Sequence, residues 1–339
     1  MAATIRDVAA RIGVSPSTVS RVLNDTGLIS EETKQQVYKA IQELDYHPNM
    51  LAQSFAKGKA GSIALVMDAR AASDFSNIFF YQSVFAVETI IQEFGYHLII
   101  ASDRRLGSNQ SPILEMVLGC RVDGLILPPT TANPELLKKL EQSRLPFVVL
   151  GQPITNHTKY SWVDVDNTLG AQMAVEHLYM QSYERIAYVT DNVKPVFEKK
   201  RLSGYMDAIK NRKNHSEQCL VNYTKNESEY IPHFRSLLNG EGAPDAFICS
   251  NNIIAFYTLR ALRHCNKQVP RNAGVITFDN YPLAEYTDPP LTSINIDTFQ
   301  MGRAAAELLM HGIQKHSTEC EKVLVPTSIN IRESTRRKG

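Results

Sequence analysis

The chain has 339 residues, 36 basic and 35 acidic, with 43% hydrophobic and 8% aromatic side chains. That length predicts two domains with a small third piece, and the composition excludes a disordered or collagen-like chain. A net charge of +1 does not advertise nucleic acid as a partner, and composition by itself leans towards a soluble enzyme. No apolar run reaches the roughly 18 residues of a membrane span. The charged N-terminal stretch MAATIRDVAARIGVS lacks the apolar core of a signal peptide. The expectation is therefore a cytoplasmic protein with no membrane partner. Cys120, Cys219, Cys249, Cys265 and Cys320 are odd in number and form no C-x-x-C pair, which argues against a disulfide framework or a zinc cluster. Cys249, inside the apolar run AFICS, reads as a small core residue. No metal and no cofactor is expected.

In chain order, the first 60 residues differ in texture from the rest. Thr4 is placed to cap a helix over residues 5–12, with Asp7 as its capping-box partner, and Gly13 ends it. Ile5, Val8, Ala9 and Ile12 fall on one stripe. Ser15-Pro16 opens a second helix that runs to about Asn24, with Val19, Val22 and Leu23 inward. Ser30-Glu31-Glu32 starts a third, ending near Leu44, with Val37, Ala40, Ile41 and Leu44 inward. Two short helices joined by a tight glycine turn, with a supporting third, predict an all-α helix-turn-helix headpiece over 1–45. Residues 46–60 are helix-compatible but have no core of their own, so they read as a hinge that folds when something binds it.

From residue 61 the rhythm is strand, helix, strand, helix. Strands are predicted at 63–67, 97–101, 124–127 and 147–150, with helices at 78–94, 112–118 and 134–143. After a break at 152–160 come strands at 186–190, 219–222, 246–249 and 275–278, with helices at 168–181, 196–211, 229–238 and 252–266. A last helix at 299–315 precedes strands at 322–325 and 328–331. This predicts an α/β core of two parallel-sheet lobes over 61–339. The first lobe is placed at about 61–151 plus 295–316, and the second at about 162–288 plus 322–332. Ligands in such folds bind beyond the carboxyl ends of the strands, here in the cleft between lobes. An enzyme would need a nucleophile or a phosphate loop, and G-x-x-x-x-G-K, G-x-S-x-G and H-E-x-x-H are all absent.

The stretch T-I-R-D-V-A-A-R-I-G-V-S-P-S-T-V-S-R-V-L-N (Thr4–Asn24) closely resembles the DNA-binding headpiece of the LacI/GalR family of bacterial transcriptional regulators. The likeness continues through Y-H-P-N-M-L-A-Q-S-F, R-V-D-G-L-I-L, V-D-V-D-N, R-L-S-G-Y, F-D-N and P-P-L-T-S-I, over nearly the full chain. It implies a periplasmic-binding-protein-like core and a dimeric regulator of carbohydrate-utilisation genes, a repressor or, as in some members, an activator. Its partners would be a palindromic operator and a small carbohydrate effector. A free-standing sugar-binding module fits the core but leaves the headpiece unexplained. A catabolite regulator using a carrier protein or phosphosugar is disfavoured, because that subgroup tends to carry arginine where this chain has Glu307.

The second helix presents its first turn to a major groove. The resemblance assigns base reading to Pro16, Ser17 and Arg21; Arg21 can grip a guanine edge with two hydrogen bonds. Thr4, Ser15, Thr18, Ser20, Asn24, Tyr46 and Asn49 are expected phosphate contacts, which position without specifying. Phe55 stands where the family usually places a leucine, and is expected to wedge into the minor groove at the operator centre. For the effector, Arg201, Asp279, Asn251 and Asn252 lie at strand-to-helix junctions and suit hydroxyl groups. Phe79, Phe80 and Trp162 offer apolar faces, Phe80 being preferred and Trp162 expected at the lobe crossover. The segments P-F-V-V-L-G-Q-P and W-V-D-V-D-N resemble maltose/maltodextrin regulators and point to an α-glucoside.

Overall fold

The computed structural model describes residues 3–24, 26–47, 59–67, 78–103, 111–153, 159–210, 219–315 and 319–337. The chain divides at Gly61 into a small helical unit and a large α/β unit.

In the small unit, α1 (Ile5–Ile12), α2 (Pro16–Leu23) and α3 (Glu31–Glu43) follow the caps read from the sequence. Thr4 closes a capping box: the Asp7 carboxylate accepts from the Thr4 backbone N–H at 2.8 Å, and these bonds hold Asp7 below its ordinary pKa. Gly13, at φ +72°, takes the left-handed position that a side chain would strain and releases the chain into the turn before α2. Val8, Ala9, Val19, Val22, Val37, Ala40 and Tyr46 form one buried cluster between the three helices.

Among the described residues the large unit holds two sheets of six strands. The first contains β1 (Ser62–Met67), β2 (His97–Ser102), β3 (Gly124–Leu127), β4 (Phe147–Leu150), β5 (Ser161–Val165) and β11 (Lys322–Val325), ordered β11-β5-β4-β3-β1-β2 and wholly parallel. The second contains β6 (Ile186–Thr190), β7 (Cys219–Asn222), β8 (Ala246–Cys249), β9 (Gly274–Phe278), β10 (Thr292–Asn295) and β12 (Ser328–Asn330). Its order is β12-β10-β9-β8-β6-β7, parallel except for β12. The helices are α4 (Ile78–Glu93), α5 (Pro112–Leu118), α6 (Pro134–Ser143), α7 (Asn167–Met180), α8 (Val196–Lys210), α9 (Glu227–Asn239), α10 (Asn252–His264), α11 (Pro282–Tyr286) and α12 (Thr298–Lys315). Cys249 is fully buried, and burial pushes its thiol up to about 12.

The lobe boundaries differ from the sequence reading. Residues 162–165 and 322–325 are expected in the second lobe, but β5 and β11 pair with each other in the first sheet. The chain therefore crosses after Val165 rather than before Trp162. It returns after β10 through α12, and crosses again between β11 and β12. Neither β5 nor β10 has a clean apolar signature, because each buries polar residues: Asp164 in one, Thr292 and Ser293 in the other. Two helix crossings are made close by glycine. At Gly204 a Cβ would collide with the Thr168 carbonyl of α7, and at Gly302 it would lie 2.8 Å from the Ser83 carbonyl of α4.

Candidate DNA-reading helix and effector site

At the start of α2 three hydroxyls converge. Ser15 Oγ lies 2.7 Å from Ser17 Oγ and 2.9 Å from Thr18 Oγ1, and it accepts the Thr18 N–H at 3.1 Å. This cluster crowns the positive end of the helix dipole, where a phosphate is favoured. Pro16, Ser17 and Arg21 are exposed, while Ser20 and Thr18 are half-buried. Among the described residues no carboxylate pairs with Arg21, so its guanidinium is available to a base edge. Thr4 is exposed, its hydroxyl donating to Asp7 at 2.7 Å. Asn24 turns back on its helix, its amide donating to the Ser20 carbonyl at 2.8 Å. Tyr46 departs from the sequence expectation: it is 9% exposed and belongs to the buried apolar cluster of the three helices rather than to the exposed surface. Asn49 and Phe55 lie outside the described residues.

The second cluster is built around Arg201. The residue sits in the second turn of α8 rather than at its opening, and its side chain, 6% exposed, leans back along the helix as helical side chains do. Nε donates to Asn167 Oδ1 at 2.8 Å, and Nη1 to the Ser250 carbonyl at 2.9 Å. The guanidinium lies 4.0 Å from the Phe278 ring centroid and 5.0 Å from that of Phe197. Arg201 is thus fixed by neutral acceptors and aromatic faces, and no carboxylate among the described residues neutralises it at ion-pair distance.

Three carboxyl groups surround it at longer range: Asp164, Glu198 and Asp279 all feel its charge. Asp164, at the end of β5, accepts from the backbone N–H groups of Gln152 at 2.8 Å and Val165 at 2.7 Å. Glu198, three residues before Arg201 and so on the same face of α8, accepts from the Tyr188 hydroxyl at 2.9 Å. Asp279 follows β9 at φ +72°. Burial pushes each carboxyl above its ordinary pKa, against the pull of Arg201. Among the described residues no donor reaches the Asp279 carboxylate, so it keeps acceptor capacity for a ligand.

The structure brings Arg201, Asn252 and Asp279 together. Asn252 is buried, and in the orientation that satisfies both ends its amide donates to the Asp279 carbonyl at 2.9 Å. Asn251, at the same junction, spends its side chain as the cap of α10, accepting from Ile254 N–H at 2.9 Å. Trp162 is not part of the cluster. It is 8% exposed and packs among Ala64, Leu125 and Val149 in the first lobe, because β5 turns that face inward. The Phe80 side chain lies outside the described residues. Asp164, Asn167, Glu198 and Ser250 were missed as site residues. The signal for the first two was the V-D-V-D-N stretch, whose valine–aspartate alternation marks a strand leading into a polar helix start. Chemically, a donor fork, an open carboxylate and flat apolar rings suit a neutral polyhydroxy molecule.

A protein-family model described as "Bacterial regulatory proteins, lacI family" matches residues 4–49, and one for a periplasmic binding protein-like domain matches residues 175–335. The HTH-type transcriptional regulator CelR of Thermobifida fusca is 30% identical over 98% of both chains. The HTH-type transcriptional regulator MalR of Streptococcus pneumoniae serotype 4 is 29% identical over 97% of this chain and 99% of its own. Among solved structures, a complex of the regulator CelR with cellobiose superposes with a TM-score of 0.70 at 29% identity, covering 98% of this chain and 99% of that one. A lac repressor dimer bound to operator shares the fold at a TM-score of 0.80, with 23% identity over 99% of both chains. With the headpiece and core matched at full length, the chain belongs to the lacI family of bacterial regulatory proteins, which regulate transcription by binding DNA.

Proposed function

We propose that this protein represses carbohydrate-utilisation genes by binding a palindromic operator as a cytoplasmic homodimer, and that a small sugar sets its operator affinity. The effector we favour is an α-glucoside such as maltose. It acts by binding alone, with no reaction catalysed and no cofactor. The observation that carries the reading is Arg201, buried and oriented by neutral groups, opposite the unmatched carboxylate of Asp279. A vicinal diol offers an acceptor to one and donors to the other. The sugars named with relatives support a carbohydrate effector, though not the α-linkage: cellobiose in the CelR complex, ribose in the ribose operon repressor of Halalkalibacterium halodurans.

On the DNA side, Arg21 and Ser17 would read base edges with Pro16 between helix and groove. Thr4, Ser15, Thr18, Ser20, Asn24 and Asn49 would hold phosphates, and Phe55 would wedge the minor groove. The effector contacts both lobes, through Asp164 and Asn167 at the crossing and Asp279 beyond it, so it shifts the population of lobe arrangements and with it the hinge over 46–60. The test is a calorimetric panel of maltose, maltotriose, cellobiose and ribose, followed by operator gel shifts with each binder. A sugar that binds and changes operator affinity is the expected result. No binding by any carbohydrate, with regulation intact in Arg201→Ala, would overturn the reading.

A further inference from the structure

Asp279 holds its carboxylate on a backbone at φ +72°, a region that a non-glycine residue keeps only when its surroundings impose it. Two restraints act there. Asn252 grips the Asp279 carbonyl. The other restraint is on the next residue: Asn280 Oδ1 accepts from Ser293 Oγ at 2.9 Å and from Arg332 Nη2 at 2.8 Å. Arg332 comes from the segment after β12. Its Nη1 donates to the Leu291 carbonyl at 2.9 Å and to Ser293 Oγ at 3.0 Å, and its Nη2 pairs with Glu285 of α11 at 2.7 Å. Its side chain is only 17% exposed. Asn280 and Glu285 belong to the turn and helix that follow β9, and Leu291 and Ser293 to the chain entering β10, so one guanidinium ties the turn after Asp279 to the neighbouring strand. The planar fork matters, because an ammonium at this place could not address two carbonyl-type acceptors and a carboxylate in one plane.

We propose that Arg332 is a positioning residue of the effector site: it fixes the Asp279–Asn280 turn and thereby sets the direction of the Asp279 carboxylate. The C-terminal segment then contributes to effector affinity and to discrimination between sugars without touching the ligand. The proposal rests on the reading of the Arg201–Asp279 cluster as the sugar site.

The test uses full-length wild type, Arg332→Gln and Arg332→Lys. Calorimetry measures maltose and cellobiose binding. Carbon-13 NMR of aspartate-labelled protein follows the Asp279 carboxyl through pH, assigned with Asp279→Asn. We expect both variants to bind the recognised sugar at least about tenfold more weakly, roughly the coupling that links effector sites. We also expect a moved Asp279 titration midpoint and an unchanged operator affinity without sugar. A purely structural arginine would lower the melting temperature and leave the titration of Asp279 where it was. Unchanged sugar affinity together with an unchanged Asp279 titration overturns the proposal. Should neither sugar bind wild type, the sugar reading falls, and Arg332 is still decided by the titration alone, an unmoved midpoint overturning it. Should Arg332→Gln fail to fold, Ser293→Ala removes one of the two anchors of Asn280, and it is expected to move the midpoint in the same direction by less.

Discussion

Arg201 and its carboxyl neighbours show function set against stability at single residues. Burial raises the pKa of Asp279, so the folded state favours its protonated form. A raised carboxyl contributes stability below its unfolded value, and that contribution is lost as pH rises through the folded value. Above the folded value the ionised group is therefore a native-state cost kept for the ligand. Asp279→Asn should melt higher than wild type at pH 7, by about 1–2 °C if the relief is near 1 kcal/mol in a chain of this length. The gap should close towards acid pH, and sugar binding should be lost. Calorimetric melts at pH 4 and pH 7 check this, and a lower melting temperature at pH 7 contradicts it. His177 behaves oppositely. It is buried on α7, its Nε2 2.8 Å from Thr335 Oγ1, and burial lowers its pKa. Its neutral form is favoured in the fold, so stability is complete above its ordinary value of 6.5 and falls as pH drops below it. Between pH 6.5 and pH 5 wild type should lose melting temperature more steeply than His177→Gln.

At the scale of elements, caps and close crossings decide where side chains point. Ser15→Ala removes the cap of α2 together with the hydroxyl cluster, at a cost of about 1 kcal/mol to the headpiece. Operator affinity should fall with it, while sugar binding to the core is untouched. Gly204→Ala sets a Cβ against the Thr168 carbonyl and must push α8 from α7. That displaces Arg201, so the variant should lose both melting temperature and sugar affinity, read by scanning and titration calorimetry. The headpiece was legible in the sequence because its signals are local: Thr4 with Asp7, Gly13, Ser15-Pro16, Ser30. The alternating elements of the core were legible for the same reason. What the sequence hid depends on distant partners. β5 and β10 carry buried polar residues whose partners lie elsewhere: the Gln152 N–H donates to Asp164, and the Thr292 N–H donates to Ser334 Oγ. Trp162 looked like a stacking surface until its strand acquired neighbours, and Arg332 gains meaning only beside Asn280.

For the whole molecule, the net charge of +1 hides an uneven distribution. Residues 1–60 carry seven basic side chains (Arg6, Arg11, Arg21, Lys34, Lys39, Lys57 and Lys59) and six acidic (Asp7, Asp25, Glu31, Glu32, Glu43 and Asp45). Up to Asn24 the balance is three basic to one acidic. Arg11 is moreover engaged with Glu43 at 3.0 Å. Such a headpiece attracts DNA weakly by charge, so non-specific binding should be weak and, with few phosphates neutralised, only shallowly salt-dependent, with pairing of two headpieces supplying much of the operator affinity. A headpiece fragment alone should bind operator far less tightly than the full chain, measured by anisotropy across a salt series. The most direct test joins both ends of the molecule. Operator binding is titrated by fluorescence anisotropy with and without the sugar that calorimetry identifies, for wild type and Arg201→Lys. The account predicts that sugar changes wild-type operator affinity by about tenfold or more, and that Arg201→Lys binds operator equally well but no longer responds. An undiminished response in Arg201→Lys would contradict it.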